Sequence, residues 1–413
     1  MSREPDPNTS LVDAYIYDGI RTPFGRHAGT LASVRPDDLL GDLAAALVDR
    51  SPFADADFED LIAGCANQGG EDCRNVGRRA SLLAGLPVEV AGITVNRLCA
   101  SGLAAVLDAS RAIACGQGDL FIAGGVESMS RAPFVMGKAE RAYGRQLTVF
   151  DSTLGSRFAN PRTTTQYGDH AMPETAEEIA KDLDISRDAS DRFALASQEK
   201  YAAAKTECFF AGELHPVRVA GPQRGETTDV TEDEHPRPGT TLDTLAKLRP
   251  IVENGIGIVT AGNASGINDG AAALIVGSKT AGERAGAPPL ARIVTAAAAG
   301  VEPRVMGLGP VPASKKALAR AGLALADMDV IEINEAFATQ VLGCLKRMEL
   351  DPTDSRVNPN GGAIAVGHPL GASGARLMLT AVRQLQRIEG RYALVTLCIG
   401  VGQGLAAVLE RVP

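Results

Sequence analysis

The sequence predicts an α/β fold that is interrupted by an inserted loop domain. Short runs of Val, Ile, Leu and Ala alternate with helical segments near both ends of the chain, as at residues 120–125 and 330–333. Between residues 129 and 267 charge and proline become more frequent, and residues 221–238 are polar and rich in turn formers. The length of 413 residues also exceeds that of one ordinary domain.

Two helices are expected inside the insertion. Pro173 can begin one of them, and Ser186 can cap a second whose buried face would include Phe193. A short internal similarity links residues 98–106 (LCASGLAAV) with residues 397–408 (LCIGVGQGLAAV). It would fit a duplicated fold with two related halves, although strings of small residues match easily by chance.

The composition argues against polyanionic partners and against export. The chain has 41 Lys and Arg against 50 Asp and Glu, a net charge of -9, so we expect neither nucleic acid nor a membrane as partner. Residues 1–10 carry acidic residues and prolines where a secretory signal would be basic and then apolar, which favours a cytoplasmic protein. The uncharged run at 392–409 contains glycines that predict a strand, a turn and a strand rather than a membrane span.

The seven cysteines predict neither a disulfide framework nor a metal site. They are odd in number, irregularly spaced and without a CxxC pair. We therefore expect reduced thiols. We expect neither a resident metal nor a permanently bound cofactor.

Cys99 comes just before a segment that predicts a buried helix, because few of the residues from Leu103 to Ala114 are polar. A helix N-terminus favours an anion, so we expect the thiolate of Cys99 to be more available than that of an ordinary cysteine. The alternative is that Cys99 is a small buried core residue, as most free cysteines are.

His368 is the best candidate for a base among the five histidines. It lies in a glycine-rich segment, residues 358–376, that precedes a helix, and glycines let the backbone approach a ligand closely. A structural turn histidine is the alternative interpretation.

Cys398 and Asn334 each follow a predicted strand. Cys398 enters a tight glycine turn, where its thiol can face a cavity. The GxGxG spacing from Gly400 also resembles a dinucleotide loop, but too few residues follow it for a βαβ unit, which excludes that function. Asn334 can cap the next helix or offer its amide to a ligand.

Taken together, NRLCASG (96–102), NEAFA (334–338), GHPLGASG (367–374) and CIGVGQG (398–404) resemble the thiolase family in order and spacing. The resemblance covers nearly the whole chain. It implies a duplicated α-β-α-β-α layered fold with an inserted loop domain. The expected units are an N-terminal half at 1–128 completed by 268–287, a loop and coenzyme A-binding domain at 129–267, and a C-terminal half at 288–413.

The resemblance also implies a role for each candidate residue. Catalysis would pass through an acyl-enzyme, with coenzyme A as co-substrate and a homotetramer or homodimer as the assembly. The implied catalytic group comprises the nucleophile Cys99, the base His368, the α-carbon acid and base Cys398, the water-holding Asn334, and the backbone N–H groups of Cys99 and Gly400 as an oxyanion hole. The implied binding group comprises Arg237 and Thr244 for adenosine, Ala261 and Ser265 for pantetheine, and Met172 and Phe337 for the acyl chain.

Further segments look most like thiolases that convert 3-oxoadipyl-CoA to succinyl-CoA and acetyl-CoA in aromatic catabolism, among them RTPFGRHAG and GGVESMSRAPFVMGKA. Such a substrate carries a second carboxylate, which a cation should meet because an unpaired buried charge is costly. The candidates are Arg157, Arg162 and His170.

Two alternatives remain at this point. One is an acetyl-CoA C-acetyltransferase acting on acetoacetyl-CoA or on 3-oxoacyl chains in general. The other is a non-catalytic acyl-CoA-binding relative, which the presence of Cys99, His368 and Cys398 disfavours. A decarboxylating condensing enzyme would typically have a second histidine in place of Asn334 and would not need Cys398.

Overall fold

The computed structural model describes residues 11–413 except 140, 222, 224, 253 and 254. The expectation about a secretory signal concerns residues 1–10 and lies outside the described residues. No helix in the described ranges combines the length and apolar character needed to cross a membrane.

The described residues alternate between strands and helices, as expected for an α/β chain. The strands are β1 (Ala14–Arg21), β2 (Gly25–Arg26), β3 (Asp60–Gly64), β4 (Ala91–Val95), β5 (Leu120–Ser128), β6 (Phe134–Met136), β7 (Val149–Asp151), β8 (Val217–Ala220), β9 (Thr227–Val230), β10 (Asn268–Ser278), β11 (Ala291–Gly300), β12 (Val330–Ile333), β13 (Tyr392–Ile399) and β14 (Gln403–Arg411). The α-helices are α1 (Pro36–Asp49), α2 (Val76–Leu83), α3 (Ser101–Ala114), α4 (Pro161–Tyr167), α5 (Met172–Asp182), α6 (Arg187–Thr206), α7 (Leu242–Ala246), α8 (Lys279–Ala285), α9 (Pro310–Ala321), α10 (Ala338–Arg347), α11 (Ala363–Val366) and α12 (Leu370–Ile388).

The strands of the two halves follow the same plan. In the N-terminal half the order is β4-β3-β5-β10-β1, with β4, β3 and β5 parallel and the last two strands antiparallel to their neighbours. In the C-terminal half it is β12-β13-β14-β11, again parallel first and then antiparallel. A short pairing of β1 with β11 joins the halves. The predicted α/β class is thus confirmed.

The insertion occupies one particular connection of this duplicated plan. Residues 129–267 lead from β5 to β10, whereas residues 400–402 alone connect the equivalent strands β13 and β14. The sequence predicts a loop domain with the same bounds, 129–267. The division of the chain into this domain and two halves stays a proposal. The internal similarity has another origin, since residues 98–106 lead into helix α3 while residues 397–408 form the β13–β14 hairpin.

Strand alternation divides the core into layers, because successive side chains point to opposite faces. In β5, Phe121 joins a central cluster with side chains of α3 and α12, whereas Ile122 joins an outer cluster with α1 and α2. In β13, Val395 belongs to the central cluster and Leu394 to a third cluster with α9 and α10. Helices therefore cover both faces of each half and share the middle layer.

Helices α3 and α12 approach each other closely at their first turns. A Cβ on Gly102 would lie 2.4 Å from the carbonyl oxygen of Gly371, and one on Gly371 would lie 2.6 Å from that of Gly64. A Cβ on Gly125 would lie 2.1 Å from the oxygen of Gly371. Only glycine permits this packing of backbone on backbone, and it fixes the starts of the two central helices beside the ends of β3 and β5.

Most helix and turn predictions are confirmed. The structure has α5 beginning at Met172, next to Pro173, and α6 capped by Ser186, whose side chain accepts a hydrogen bond from the N–H of Ala189. The run at 392–409 forms a strand, a turn and a strand.

Candidate active site

Four candidate residues lie where elements of the two halves end or begin. Cys99 precedes α3 by two residues, and His368 precedes α12 by two. Cys398 is near the end of β13, and Asn334 directly follows β12. Since the first turns of α3 and α12 are in contact, the segments before them are brought to the same place.

Cys99 is half-buried, and its thiol accepts a hydrogen bond from the backbone N–H of Gly400 in the C-terminal half. Burial raises the pKa of its thiol to about 11, an effect that the N–H of Gly400 opposes and the Glu127 carboxylate reinforces. The expectation of a more available thiolate is therefore wrong for the free protein. Desolvation is the largest influence on this pKa, and the thiol lies two residues before Ser101, where helix α3 begins.

Cys398 is 1% exposed and packs in a small apolar cluster with Phe337. Burial raises the pKa of its thiol well above the ordinary value, and the neighbouring Cys99 adds to the effect. The two thiols are thus close enough to act on each other, and both are neutral at neutral pH. A buried neutral thiol can donate a proton to a carbanion and take it back.

The His368 ring is held in one tautomer by Ser373. The Ser373 hydroxyl donates to the carbonyl of Pro369 at 2.8 Å, so it accepts a hydrogen bond from Nδ1–H of His368, whose Nδ1 lies 2.6 Å away. The lone pair is then on Nε2. Burial, with the positive charge of Arg376, lowers the pKa of His368 to about 3. The imidazole is neutral at neutral pH and can accept a proton.

Asn334 contacts His368 and does not cap a helix. Helix α10 begins at Ala338 with Phe337 as its N-cap residue, so the capping interpretation is wrong. The Asn334 Nδ2 atom lies 3.3 Å from Nε2 of His368, and the buried Oδ1 has no donor among the described protein groups. That oxygen is available to a water or to a ligand, as the predicted role requires.

Glu127 is a site residue that the sequence analysis missed. Its buried carboxylate accepts hydrogen bonds from the backbone N–H groups of Ala66, Asn67 and Gly371, at 2.9–3.0 Å. Burial raises the pKa of Glu127 to about 7, although these N–H groups oppose the shift. The available signal was a glutamate within the segment GGVESMS, immediately after a run of apolar and glycine residues.

Glu127 also belongs to a cluster of potential metal ligands. The ligand atoms of Cys65, Asp72 and Glu127 lie within 4.8 Å of one another. The Glu127 oxygens already accept three backbone hydrogen bonds, and the Cys65 thiol donates to the carbonyl of Asn67 at 2.9 Å. Cys65, Asp72 and Glu127 therefore form a hydrogen-bonded framework near Cys99.

A cavity of about 470 Å³ opens beside Cys99. Its lining includes Gly400, Met172, Arg157 and His170, which brings three of the predicted substrate-binding side chains together with the nucleophile. The Met172 sulfur would lie 3.8 Å from a Cβ placed on Gly400. These residues come from the loop domain and from the β13–β14 turn, so the cavity forms only in the folded chain.

Other predicted residues lie outside this lining in the part of the chain that the structure describes. Arg162 is exposed on α4, while His368 and Cys398 are buried in the protein next to the cavity residues Leu370 and Gly400.

The four residues predicted to bind coenzyme A also lie outside the described lining of this cavity. Arg237, Thr244 and Ala261 are exposed, and Ser265 is half-buried. The Thr244 hydroxyl donates to the carbonyl of Thr241 at 2.8 Å, so it also closes the first turn of α7.

The segment that contains Ser265 is attached to the NEAFA motif. The N–H of Ser265 donates to the carbonyl of Ala336 at 2.9 Å, and the N–H of Ala338 donates to that of Asn263 at 2.8 Å. This attachment brings the pantetheine candidates to Phe337 and Cys398.

Comparison with family models gives the class of protein. Residues 14–280 match the model described as Thiolase, N-terminal domain, and residues 287–411 match Thiolase, C-terminal domain. The chain belongs to the thiolase family and is an acyltransferase.

Individual relatives agree over almost the full length. The chain is 58% identical over 402 residues to the 3-oxoadipyl-CoA/3-oxo-5,6-dehydrosuberyl-CoA thiolase of Escherichia coli (strain K12), covering 97% of this chain and 100% of the relative. It is 56% identical over 401 residues to a beta-ketoadipyl-CoA thiolase of Acinetobacter baylyi, covering 97% and 99%. The crystal structure of human mitochondrial 3-ketoacyl-CoA thiolase in complex with CoA superposes with a TM-score of 0.89, at 38% identity over 98% of this chain and 99% of that one. The predicted thiolase fold is confirmed.

The low pKa of buried His368 predicts a pH-dependent contribution to stability. The folded ring stays neutral down to about pH 3, whereas the unfolded ring takes a proton below 6.5. Stability is therefore lost as the pH falls below 6.5, by about 1.4 kcal/mol for each pH unit. Urea unfolding of the wild type and of His368→Asn between pH 7.5 and 5 should show their stability difference shifting against the wild type as the pH falls. Glu127 and Glu332, whose pKa values are raised, act in both proteins and cancel. A difference that does not change with pH would refute the neutral buried imidazole.

Ser373 is predicted to position the base. In Ser373→Ala the Nδ1–H loses its acceptor, and a net hydrogen bond of about 1 kcal/mol corresponds to roughly a fivefold slower acylation. Stopped-flow acylation by acetyl-CoA, the dissociation constant for CoA and the melting temperature should be measured together. We expect acylation to slow and the dissociation constant for CoA to stay the same, while the melting temperature falls because the buried Nδ1–H is left without an acceptor. Ser190→Ala, which removes another buried hydroxyl that donates to a backbone carbonyl at the start of a helix, here α6, is the matched control. Equal acylation rates in the two variants would contradict the role of Ser373.

Proposed function

We propose that this thiolase cleaves 3-oxoadipyl-CoA with coenzyme A to give succinyl-CoA and acetyl-CoA. The proposal is supported by the names of the relatives that are 55–58% identical over 97% of the chain. The observation that carries the thiolytic chemistry is the hydrogen bond from the Gly400 N–H to the Cys99 thiol, together with the electrostatic effect of Cys99 on the Cys398 thiol.

The first half-reaction forms an acyl-enzyme. His368 takes the proton of Cys99 on Nε2 as the sulfur attacks the ketone carbon of the substrate. The bond between the α and β carbons then breaks, which leaves a succinyl thioester on Cys99 and the enolate of acetyl-CoA. Cys398 protonates the enolate carbon, and acetyl-CoA leaves.

The second half-reaction returns the enzyme to its starting state. The thiol of coenzyme A loses its proton to the Cys398 thiolate and attacks the succinyl carbonyl. Succinyl-CoA is released as the Cys99 sulfur takes back the proton held by His368. The high thiol pKa values and the low imidazole pKa make the resting site a neutral one, in which charge develops only during reaction.

That developing charge needs donors. The backbone N–H groups of Cys99 and Gly400 would bind the oxygen of the attacked carbonyl, and a water on Asn334 and His368 would bind that of the enolate. A well-directed donor contributes roughly 3 to 4 kcal/mol to the transition state. The location of Gly400 in the β13–β14 turn and of Cys99 two residues before α3 supports this pairing of donors.

Coenzyme A is proposed as the co-substrate, held by Arg237 and Thr244 at its adenosine end and by Ala261 and Ser265 along pantetheine. Met172 and Phe337 would line the acyl chain. The human mitochondrial 3-ketoacyl-CoA thiolase, which shares this fold, crystallised in complex with CoA, and this supports the assignment. We further propose a homotetramer or homodimer, without a permanently bound cofactor.

The substrate assignment is tested by steady-state kinetics. We expect kcat/KM for 3-oxoadipyl-CoA to exceed that for acetoacetyl-CoA by at least about tenfold, since one good charged contact can supply that difference. A preference for acetoacetyl-CoA would instead indicate an acetyl-CoA C-acetyltransferase.

The assignment of the two thiols is tested by separating the half-reactions. Cys99→Ala should lose turnover with its fold intact, because little packing volume is removed, and acetyl-CoA should leave no acetyl group on it. Cys398→Ala should still be acetylated on the peptide containing Cys99, although more slowly because the departing coenzyme A thiolate lacks the Cys398 proton, and it should not exchange carbon–carbon bonds. Intact-protein and peptide mass spectrometry give the acylation, and thiolysis assays give the turnover. The exposed Cys115 offers a control in Cys115→Ala, which should behave as wild type. Turnover by Cys99→Ala, or exchange by Cys398→Ala, would contradict the assignment.

A further inference from the structure

The cavity beside Cys99 has one arginine in its lining, and the described residues contribute no lysine to it. That arginine is Arg157, which is half-buried. The other charged or titratable side chains of the lining are Glu127, Asp169, His170 and the Cys99 thiol, so a ligand with negative charge finds one permanent cation there.

Arg157 is connected by hydrogen bonds to the framework of Cys65, Asp72 and Glu127 near Cys99. Its Nη1 donates to the carbonyl of Ser152 at 3.1 Å, and the hydroxyl of Ser152, which is 2% exposed, accepts a hydrogen bond from Nδ2 of Asn67 at 3.1 Å. The N–H of Asn67 in turn donates to Glu127 at 2.9 Å. A chain of hydrogen bonds therefore runs from the guanidinium to the buried carboxylate near Cys99.

The remaining donors of Arg157 are available to a ligand. No carboxylate of the described residues forms a salt bridge with it, and the contact with Ser152 is its hydrogen bond within that part of the chain. A guanidinium presents its N–H groups in a planar fork that matches a carboxylate. A partly buried arginine that faces a cavity without a carboxylate partner is suited to receive one.

We propose that Arg157 binds the distal carboxylate of the 3-oxodicarboxyl-CoA substrate and thereby determines the preference for it. This inference rests on the proposed function. A thioester chain that begins at Cys99 extends into the cavity that Arg157 lines, and its terminal carboxylate meets the guanidinium there. A substrate that ends in a methyl group leaves the same guanidinium without a partner.

The other two candidate cations are less suitable. Arg162 is exposed on α4 and does not line the cavity in the described structure. His170 does line it, but its ring lies on the backbone of Gly168, where an added Cβ would be 2.5 Å from Cε1. His170 therefore shapes the wall, and Arg157 supplies the charge.

Asp169 provides a second and opposite test. Its carboxylate lines the same cavity and accepts a hydrogen bond from the Ser156 hydroxyl at 2.6 Å. A carboxylate there repels the distal carboxylate of the substrate. Asp169→Asn should thus strengthen the preference for the charged substrate, whereas neutralising Arg157 should weaken it.

The experiment compares two substrates of equal chain length, 3-oxoadipyl-CoA and 3-oxohexanoyl-CoA, in which a methyl group replaces the carboxylate. In Arg157→Gln we expect kcat/KM to fall about 10- to 100-fold for 3-oxoadipyl-CoA, because a hydrogen-bonded charge pair is lost, and to stay within about twofold for 3-oxohexanoyl-CoA. Arg157→Lys should retain part of the preference. Arg145→Gln, an exposed arginine of the same loop, is the matched control and should leave both values unchanged.

The outcomes separate the two proposals. If the wild type does not favour 3-oxoadipyl-CoA, the proposed substrate is wrong and the role of Arg157 is lost with it. If the wild type favours it but Arg157→Gln affects both substrates equally, or affects neither, the role of Arg157 is wrong while the proposed function stands. An Arg162→Gln variant that loses the preference would move the role to Arg162. Acetylation of Cys99 by acetyl-CoA and the melting temperature establish that each variant is folded.

Discussion

The three hydrogen bonds to the Glu127 carboxylate hold the candidate active site together. They join the loop after β3, through Ala66 and Asn67, to the start of α12, through Gly371. The glycines at 64, 102, 125 and 371 let the same backbones touch without side chains between them. Cys99 and His368 each precede one of the two helices that meet there. A change in the packing of these two helices would therefore move Cys99 and His368 apart. Small displacements of catalytic groups are costly in rate.

Burial sets the protonation states of the titratable groups in this site. Desolvation raises the pKa of both thiols and of Glu127, and it lowers that of His368. Each shift favours the neutral form, so the resting site carries little charge although it is rich in titratable groups. In the proposed reaction, negative charge on an oxygen would then meet fixed backbone donors with little competing water.

The duplicated sheet explains why the two thiols come from distant parts of the chain. The β13–β14 connection is a short turn that carries Gly400, whereas the equivalent β5–β10 connection holds the whole loop domain. One half thus supplies a tight turn whose Gly400 N–H donates to the Cys99 thiol. The other half supplies a large insertion, from which Met172 and Arg157 line the cavity beside Cys99.

The sequence by itself determined the α/β class, the strand–turn–strand around Cys398, the helix beginnings at Pro173 and Ser186, and the family motifs with their candidate residues. These depend on local periodicity, on glycine and proline, and on short spacings, all of which are readable along the chain. The tertiary structure alone decided the direction of the Cys99 pKa shift, the contact of Asn334 with His368, the tautomer fixed by Ser373, the bridging role of Glu127, and the choice of Arg157 over Arg162 as a cavity residue. Each of these depends on desolvation or on a partner brought close through space, and neither can be read from positions along the sequence.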